Sequence, residues 1–167
     1  MKEALEGEKR APKIAFFVRK GLEGFVDPAI QALQGEFEAR KIITADMAQI
    51  DAGMKWAEIC WFELCDERLV YASHHALAET RRILCRLHGY EAFTAQPGQV
   101  NWESVDRVFF LAEHIRTFCI QKFGIQEKNT ALLPVGIDVG RFHYRERSCG
   151  LDIAFVGSLS QRRGAVL

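Results

Sequence analysis

The chain lacks the features that mark several large classes of protein. Its 167 residues include 22 Lys and Arg against 22 Asp and Glu, so the basic excess typical of a general nucleic-acid binder is missing. No apolar run approaches the length needed to span a bilayer, and the charged start MKEALEGEKR has no apolar core of a secretory signal. We therefore predict a cytoplasmic protein that binds no nucleic acid, and membrane association stays open.

Cysteine usage argues against two further classes. The five cysteines are odd in number, scattered, and form no C-x-x-C, which disfavours both a disulfide framework and a zinc site. We expect reduced thiols that are mostly buried. The neighbours His74 and His75 have no third ligand at a recognisable spacing, so an exposed helix face is predicted there and no metal site.

Two phosphate-binding fingerprints are also missing. The chain contains neither G-x-G-x-x-G nor G-x-x-x-x-G-K-[ST], which argues against a nicotinamide or flavin oxidoreductase and against a P-loop protein. What it does contain is a regular alternation of short apolar runs and amphipathic stretches. Strands are predicted at residues 13–18, 42–44, 59–62, 83–87, 108–111 and 131–133, and helices from residue 27 and at about 46–55, 66–80 and 113–123. This alternation predicts an α/β fold, a Rossmann-like doubly wound parallel sheet with helices on both faces.

Residues that directly follow the predicted strands are the first site candidates, because ligands of open parallel sheets gather at the carboxyl ends of the strands. Lys20, Gly21 and Gly24 follow the first strand, where glycine lets the backbone approach a phosphate or a sugar. An ordinary turn explains them equally well. Glu63 follows the third strand beside Trp61, a pairing of carboxylate and aromatic ring that suits a hydroxylated ligand.

His88 follows the fourth strand and is the candidate catalytic residue. An imidazole at a strand exit can hydrogen-bond a hydroxyl as donor or as acceptor, although a structural histidine remains the alternative. Asp66 and Glu67 are predicted to cap the next helix. The irregular stretch 89–104 is either a binding element or a packed surface excursion.

The last third of the chain carries a resemblance to a known family. Residues 132–142 read LLPVGIDVGRF, and residues 152–164 read DIAFVGSLSQRRG. They resemble the seam of a two-domain GT-B glycosyltransferase of the family 4 type, where "vpNGvD…F" closes the first domain and "vGrl…KG" opens the second. The matching positions are Pro134, Gly136, Asp138, Phe142, Gly157, Arg163 and Gly164. Val135 replaces the usual Asn, and Ser158 the usual Arg.

The resemblance implies a domain plan and an activity. Residues 1–11 would be a polar leader, 12–143 a Rossmann-like acceptor-side domain, 144–151 a connector, and 152–167 the first strand and turn of a truncated donor-side domain. The parent enzyme would transfer a sugar from a nucleotide-sugar to an acceptor hydroxyl with retention, using no metal and no resident cofactor. The acceptor or sugar contacts would be Lys20, Gly21, Gly24, His88 and, from its own surroundings, Glu63. The donor-diphosphate contacts would be Ser158, Arg163 and Gly164. Of the family's basic residues there, only Arg163 carries over by position, and Ser158 would supply at most a neutral hydrogen bond.

Two consequences and one alternative accompany this interpretation. The chain on its own is expected to be inactive, and to self-associate through the apolar segment 153–156. The alternative is a Rossmann-like or flavodoxin-like module that binds a small ligand or a protein and transfers nothing. Further β/α units and a Glu-rich motif encoded past Leu167 would favour the transferase, whereas a stop codon would favour the module.

Overall fold

A computed structural model of the chain describes residues 10–136, 139–141, 143–146, 148 and 150–151. The chain divides into two compact units, Met1–Val135 and Gly136–Leu167. In the second unit the described residues include a short 3₁₀ helix, Val139–Arg141. The predicted strand 153–156 and the predicted diphosphate contacts Ser158, Arg163 and Gly164 lie outside the described residues.

The first unit is built on a parallel sheet. Its strands are β1 (Lys13–Val18), β2 (Glu38–Ile43), β3 (Ile59–Phe62), β4 (Arg82–Leu87), β5 (Arg107–Phe110) and β6 (Thr130–Leu132). They lie in the order β2-β1-β3-β4-β5-β6, and every neighbouring pair is parallel. The predicted α/β fold with a parallel sheet is confirmed. The first five strands follow the flavodoxin-like doubly wound order, in which the crevice opens between β1 and β3.

Helices cover both faces of this sheet. They are α1 (Asp27–Leu33), α2 (Met47–Trp56), α3 (Glu67–Ser73) and α4 (Glu113–Phe123). Alternate residues of β1 face opposite ways, so Phe16 packs in the cluster that α1 covers, and Phe17 packs in the larger cluster to which α2, α3 and α4 contribute. No helix among the described residues has both the length and the apolar character needed to cross a membrane.

Two predicted elements differ from the structure. Instead of one helix over 66–80, α3 ends at Ser73 and a 3₁₀ helix spans Ala76–Glu79. The break follows from His75, whose Nδ1 accepts a hydrogen bond from the Leu77 amide at 3.0 Å and so caps the 3₁₀ helix. The second strand begins at Glu38 and not at residue 42. It is an edge strand whose first half carries exposed charged residues, so an apolar run marks only its end.

The irregular stretch after β4 is an ordered segment that contains three 3₁₀ helices. They span Glu91–Phe93, Gln96–Gly98 and Trp102–Ser104. The indole of Trp102 donates to the carbonyl of Pro97 at 2.9 Å, which ties two of them together. The segment thereby places Glu91 and Gln96 beside the carboxyl ends of the strands.

Candidate functional site

The chemically distinctive side chains gather where β1, β3 and β4 end. Trp61 and Glu63 are two residues apart on the β3 exit, and Arg86 and His88 are two residues apart on the neighbouring β4 exit. The period of a strand puts each pair on one face of the sheet. The four side chains form a cluster that we call the Glu63 cluster.

Glu63 is the hub of that cluster. Its side chain is 1 % exposed, and its Oε1 accepts hydrogen bonds from Arg86 Nε at 2.8 Å and from His88 Nε2 at 3.0 Å. Its Oε2 accepts one from the Trp61 indole at 2.9 Å. Burial alone would raise the pKa of Glu63, but the hydrogen bonds from His88, Trp61 and Arg86 outweigh it and lower that pKa below the ordinary value. Glu63 is therefore an ionised carboxylate that orients its neighbours.

The same contact sets the chemistry of His88. An ionised Glu63 can only accept, so His88 must carry a hydrogen on Nε2, and in the neutral form of the ring Nδ1 is the acceptor nitrogen. The ring meets Phe25 edge to face with centroids 5.9 Å apart, and its side chain is 14 % exposed. His88 is thus a part-buried imidazole in fixed orientation, as a residue that contacts a hydroxyl requires.

The loop after β1 carries the predicted site residues Lys20, Gly21 and Gly24. Lys20, Gly21 and Gly24 are exposed, and Gly21 has a φ of +90°, which glycine adopts without strain. The Gly21 amide donates to Glu23 Oε1 at 2.9 Å, and this contact lowers the pKa of Glu23. The loop therefore satisfies that amide internally. It contacts the Glu63 cluster through Phe25, whose carbonyl accepts from Arg86 Nη2 at 3.3 Å.

A small pocket of about 110 Å³ lies at the β1–β3 crevice. Its walls come from the loops after β1, β3 and β4: Arg19, Leu64, Cys65, Asp66, Glu67, Tyr90, Glu91, Thr94 and Gln96. This is the position at which doubly wound sheets bind their ligands. We call it the crevice pocket.

Glu91 joins two walls of the crevice pocket. Its Oε2 accepts from the amides of Cys65 at 2.8 Å and His88 at 3.1 Å, while Oε1 is buried without a hydrogen bond of good geometry. Burial raises the pKa of Glu91, and these two amides together with the Tyr90 phenol offset part of that rise. Burial and the neighbouring Glu91 carboxyl also act on Tyr90 and raise the pKa of its phenol to about 12.

Backbone strain also lies at this pocket. Leu64 is 1 % exposed and has a φ of 143°, and it is the one non-glycine residue of positive φ within the described ranges. Such a conformation costs on the order of 1–3 kcal/mol and is characteristic of ligand sites. Next to it, Asp66 accepts from the Arg68 amide at 3.0 Å and from Arg68 Nε at 3.0 Å. The predicted capping role of Asp66 is confirmed, and it leaves Glu91 as the lining carboxylate with a vacant acceptor.

Sequence reasoning thus brought Glu63 and His88 to one place and missed Arg86 and Glu91. The strand period held a signal for Arg86, since it precedes His88 by two residues on the same strand. Glu91 gave no such signal, because its position depends on a 3₁₀ turn after Tyr90. Among the described residues, no group of three or more His, Cys, Asp or Glu side chains is placed to hold a metal ion.

The fold and the crevice define this chain as an α/β protein with a doubly wound parallel sheet and a polar pocket at its switch point. Comparison with family models, with curated proteins and with solved structures found no match to the chain.

Proposed function

We propose that the chain is the acceptor-side part of a retaining glycosyltransferase, a cytoplasmic enzyme that moves a sugar from a nucleotide-sugar to an acceptor hydroxyl. The observation that carries the proposal is the His88–Glu63 contact of 3.0 Å at the carboxyl edge of the sheet. A carboxylate that fixes the tautomer of a part-buried imidazole leaves one nitrogen to accept a hydroxyl hydrogen. The order of residues in 132–142 and 152–164 supports the same proposal.

Each residue of the Glu63 cluster then has a distinct part. His88 Nδ1 accepts the hydrogen of a substrate hydroxyl and holds that oxygen in place. Glu63 is a positioning residue that acts through His88, because its own oxygens are taken by N–H groups of three residues. Arg86 keeps Glu63 ionised, so His88 Nε2 stays protonated. Orientation of the hydroxyl is the contribution of these groups to the rate.

The remaining predicted contacts are supported to different degrees, some by described positions and some by the sequence pattern alone. Lys20 is exposed on the loop after β1, where an anionic substrate group can reach it from solvent. Ser158, Arg163 and Gly164 are assigned to the donor diphosphate from the sequence pattern alone. In this assignment Arg163 supplies the positive charge that a departing diphosphate needs.

The test is a transfer assay on the protein at its full encoded length, with a panel of radiolabelled nucleotide-sugars and hydroxylated acceptors. His88→Gln keeps an amide hydrogen for Glu63 and removes the imidazole nitrogen, and we expect kcat/KM to fall about 100-fold. His114→Gln, at an exposed position of α4, is the matched control and should retain wild-type activity. The proposal fails if no nucleotide-sugar is turned over, or if His88→Gln is as active as the control.

A second candidate is a binding module without transferase activity. The strand order favours it, because the flavodoxin-like order places a single-domain ligand site at the β1–β3 crevice, where the crevice pocket lies. Tight binding of a small ligand by a protein that turns over no nucleotide-sugar would select this candidate.

A further inference from the structure

Three features of the crevice pocket have no role in the Glu63 cluster. They are the Glu91 Oε1 without a hydrogen bond of good geometry, the strained backbone of Leu64, and Tyr90, whose residue as a whole is largely exposed. Glu91 is 3 % exposed, and it belongs to the pocket lining. Its Oε1 has no hydrogen bond of good geometry, although the Tyr90 phenol interacts with the carboxyl. A buried acceptor that is so poorly satisfied is costly, so its presence in a pocket wall points to a ligand that supplies a better donor.

The charges around the pocket select the class of that ligand. Asp66 is neutralised by Arg68, and the exposed Arg19 and Glu67 carry opposite charges at the rim. The other polar linings, which are Tyr90, Thr94 and Gln96, are neutral groups that both donate and accept. Apart from Glu91 itself, such a lining gives no net attraction to an ion and offers several partners to hydroxyl groups.

The size of the pocket narrows the class further. A volume of about 110 Å³ is several times the roughly 30 Å³ that one water molecule occupies in the liquid. It accommodates one edge of a sugar or a small polyol. The openings at Tyr90, which is 61 % exposed, leave the rest of such a molecule in solvent.

We propose that the crevice pocket is a hydroxyl-recognition subsite for a neutral sugar or polyol, in which Glu91 Oε1 accepts a hydrogen bond from a ligand hydroxyl. The Tyr90 phenol, which interacts with the Glu91 carboxyl in the ligand-free protein, gives way to that hydroxyl. The subsite rests on the proposed function in one respect, the choice of a hydroxylated sugar or polyol as its ligand. It requires that this ligand binds and does not require that a sugar is transferred. The subsite is linked to His88 directly, because the amides of His88 and Cys65 both donate to Glu91 Oε2.

The experiment is a titration of the ¹⁵N-labelled chain with glycerol, myo-inositol, glucose, galactose and mannose, followed by amide chemical shifts. We expect at least one of these probes to shift the amides of Cys65 and His88 saturably, because both donate to Glu91. Glu91→Gln keeps an oxygen for these amides and turns the vacant acceptor into a donor. It should weaken the binding about tenfold. Glu79→Gln, at an exposed position outside the crevice pocket, should bind as the wild type does.

Three results would overturn the subsite. They are no saturable shift with any probe, equal affinity in Glu91→Gln and the wild type, or a stronger response to ethanolamine than to every neutral polyol. A melting curve of Glu91→Gln shows whether lost binding reflects lost folding. If that variant does not fold, the saturable shifts of the wild type and its relative response to ethanolamine and the neutral polyols decide. The titration contains no nucleotide-sugar, so it measures binding independently of transfer. Glu91-dependent binding by a protein that shows no transfer activity would therefore reject the transferase proposal and retain the subsite.

Discussion

Replacing Glu63 by Gln tests whether the buried carboxylate holds the site together. The substitution keeps the shape of the side chain and removes its charge, while Arg86, which is 11 % exposed, keeps its own. Loss of one partner from a buried ion pair typically costs about 3 kcal/mol or more, since the other charge stays buried without compensation. For a chain of this size, about 3 kcal/mol corresponds to a Tm lower by about 6–12 °C.

The pH dependence of this loss follows from the lowered pKa of Glu63. A carboxyl group whose pKa is lower in the folded than in the unfolded state stabilises the fold fully above its unfolded pKa. That stabilisation disappears as the pH falls through the folded pKa. The difference between wild type and Glu63→Gln should therefore be full at pH 7 and shrink as the pH falls below about 4.5, the ordinary value for the group.

Urea unfolding of both proteins at pH 7 and at a series of acidic pH values measures this difference by linear extrapolation. Glu79→Gln, which removes an exposed carboxylate, is the matched control and should change stability by less than about 0.5 kcal/mol at any pH. Equal stability of Glu63→Gln and Glu79→Gln at pH 7 would refute the ion-pair argument. A difference that is the same at every pH would show that the loss has another origin than the charge of Glu63.

Three further predictions concern packing and backbone. A Cβ at Gly53 would lie 2.7 Å from the Phe17 ring. Gly53→Ala should therefore destabilise the protein by about 1–2 kcal/mol in urea unfolding, although alanine has the better helix propensity. Gly24→Ala, with no heavy atom within 4 Å of the new Cβ, is the control and should be nearly neutral. Gly124 ends α4 with a φ of +70°, so Gly124→Ala should cost about 1 kcal/mol, and a stabilised variant would contradict the left-handed cap. The four described cysteines are buried, so in a Cys149→Ser background Ellman's reagent should label the protein only in denaturant, and rapid native labelling would refute their burial.

Much of the fold follows from local pattern. The apolar run over Lys13–Val18 and the amphipathic stretch over Glu113–Phe123 give their elements directly, because burial on both faces and a 3.6-residue period are local properties. The Gly124 cap marks the end of the last helix in the same way. The break at His75 was missed because it depends on a side-chain hydrogen bond that competes with the helix.

The sequence selected some residues of the candidate site but could not reveal the contacts between them. Glu63 and His88 follow strands, and the rule that ligands collect at carboxyl ends selects them without knowledge of contacts. The hub role of Glu63 depends on the register of β3 against β4, which brings Arg86 within 2.8 Å and which no local pattern contains. Glu91 reaches the Cys65 amide across 26 positions of chain, so its role appears only when the two loops meet.

One oxygen atom of Glu91 connects the segment that follows β3 to the segment that follows β4. If Glu91 gains or loses a proton, or if its other oxygen takes a new donor, the strength of both amide bonds changes together. The strained Leu64 precedes one of these amides directly, and the candidate catalytic imidazole is on the residue that supplies the other. A change at the Glu91 carboxyl group therefore acts on the segments after β3 and after β4 together, because both donate to the same oxygen.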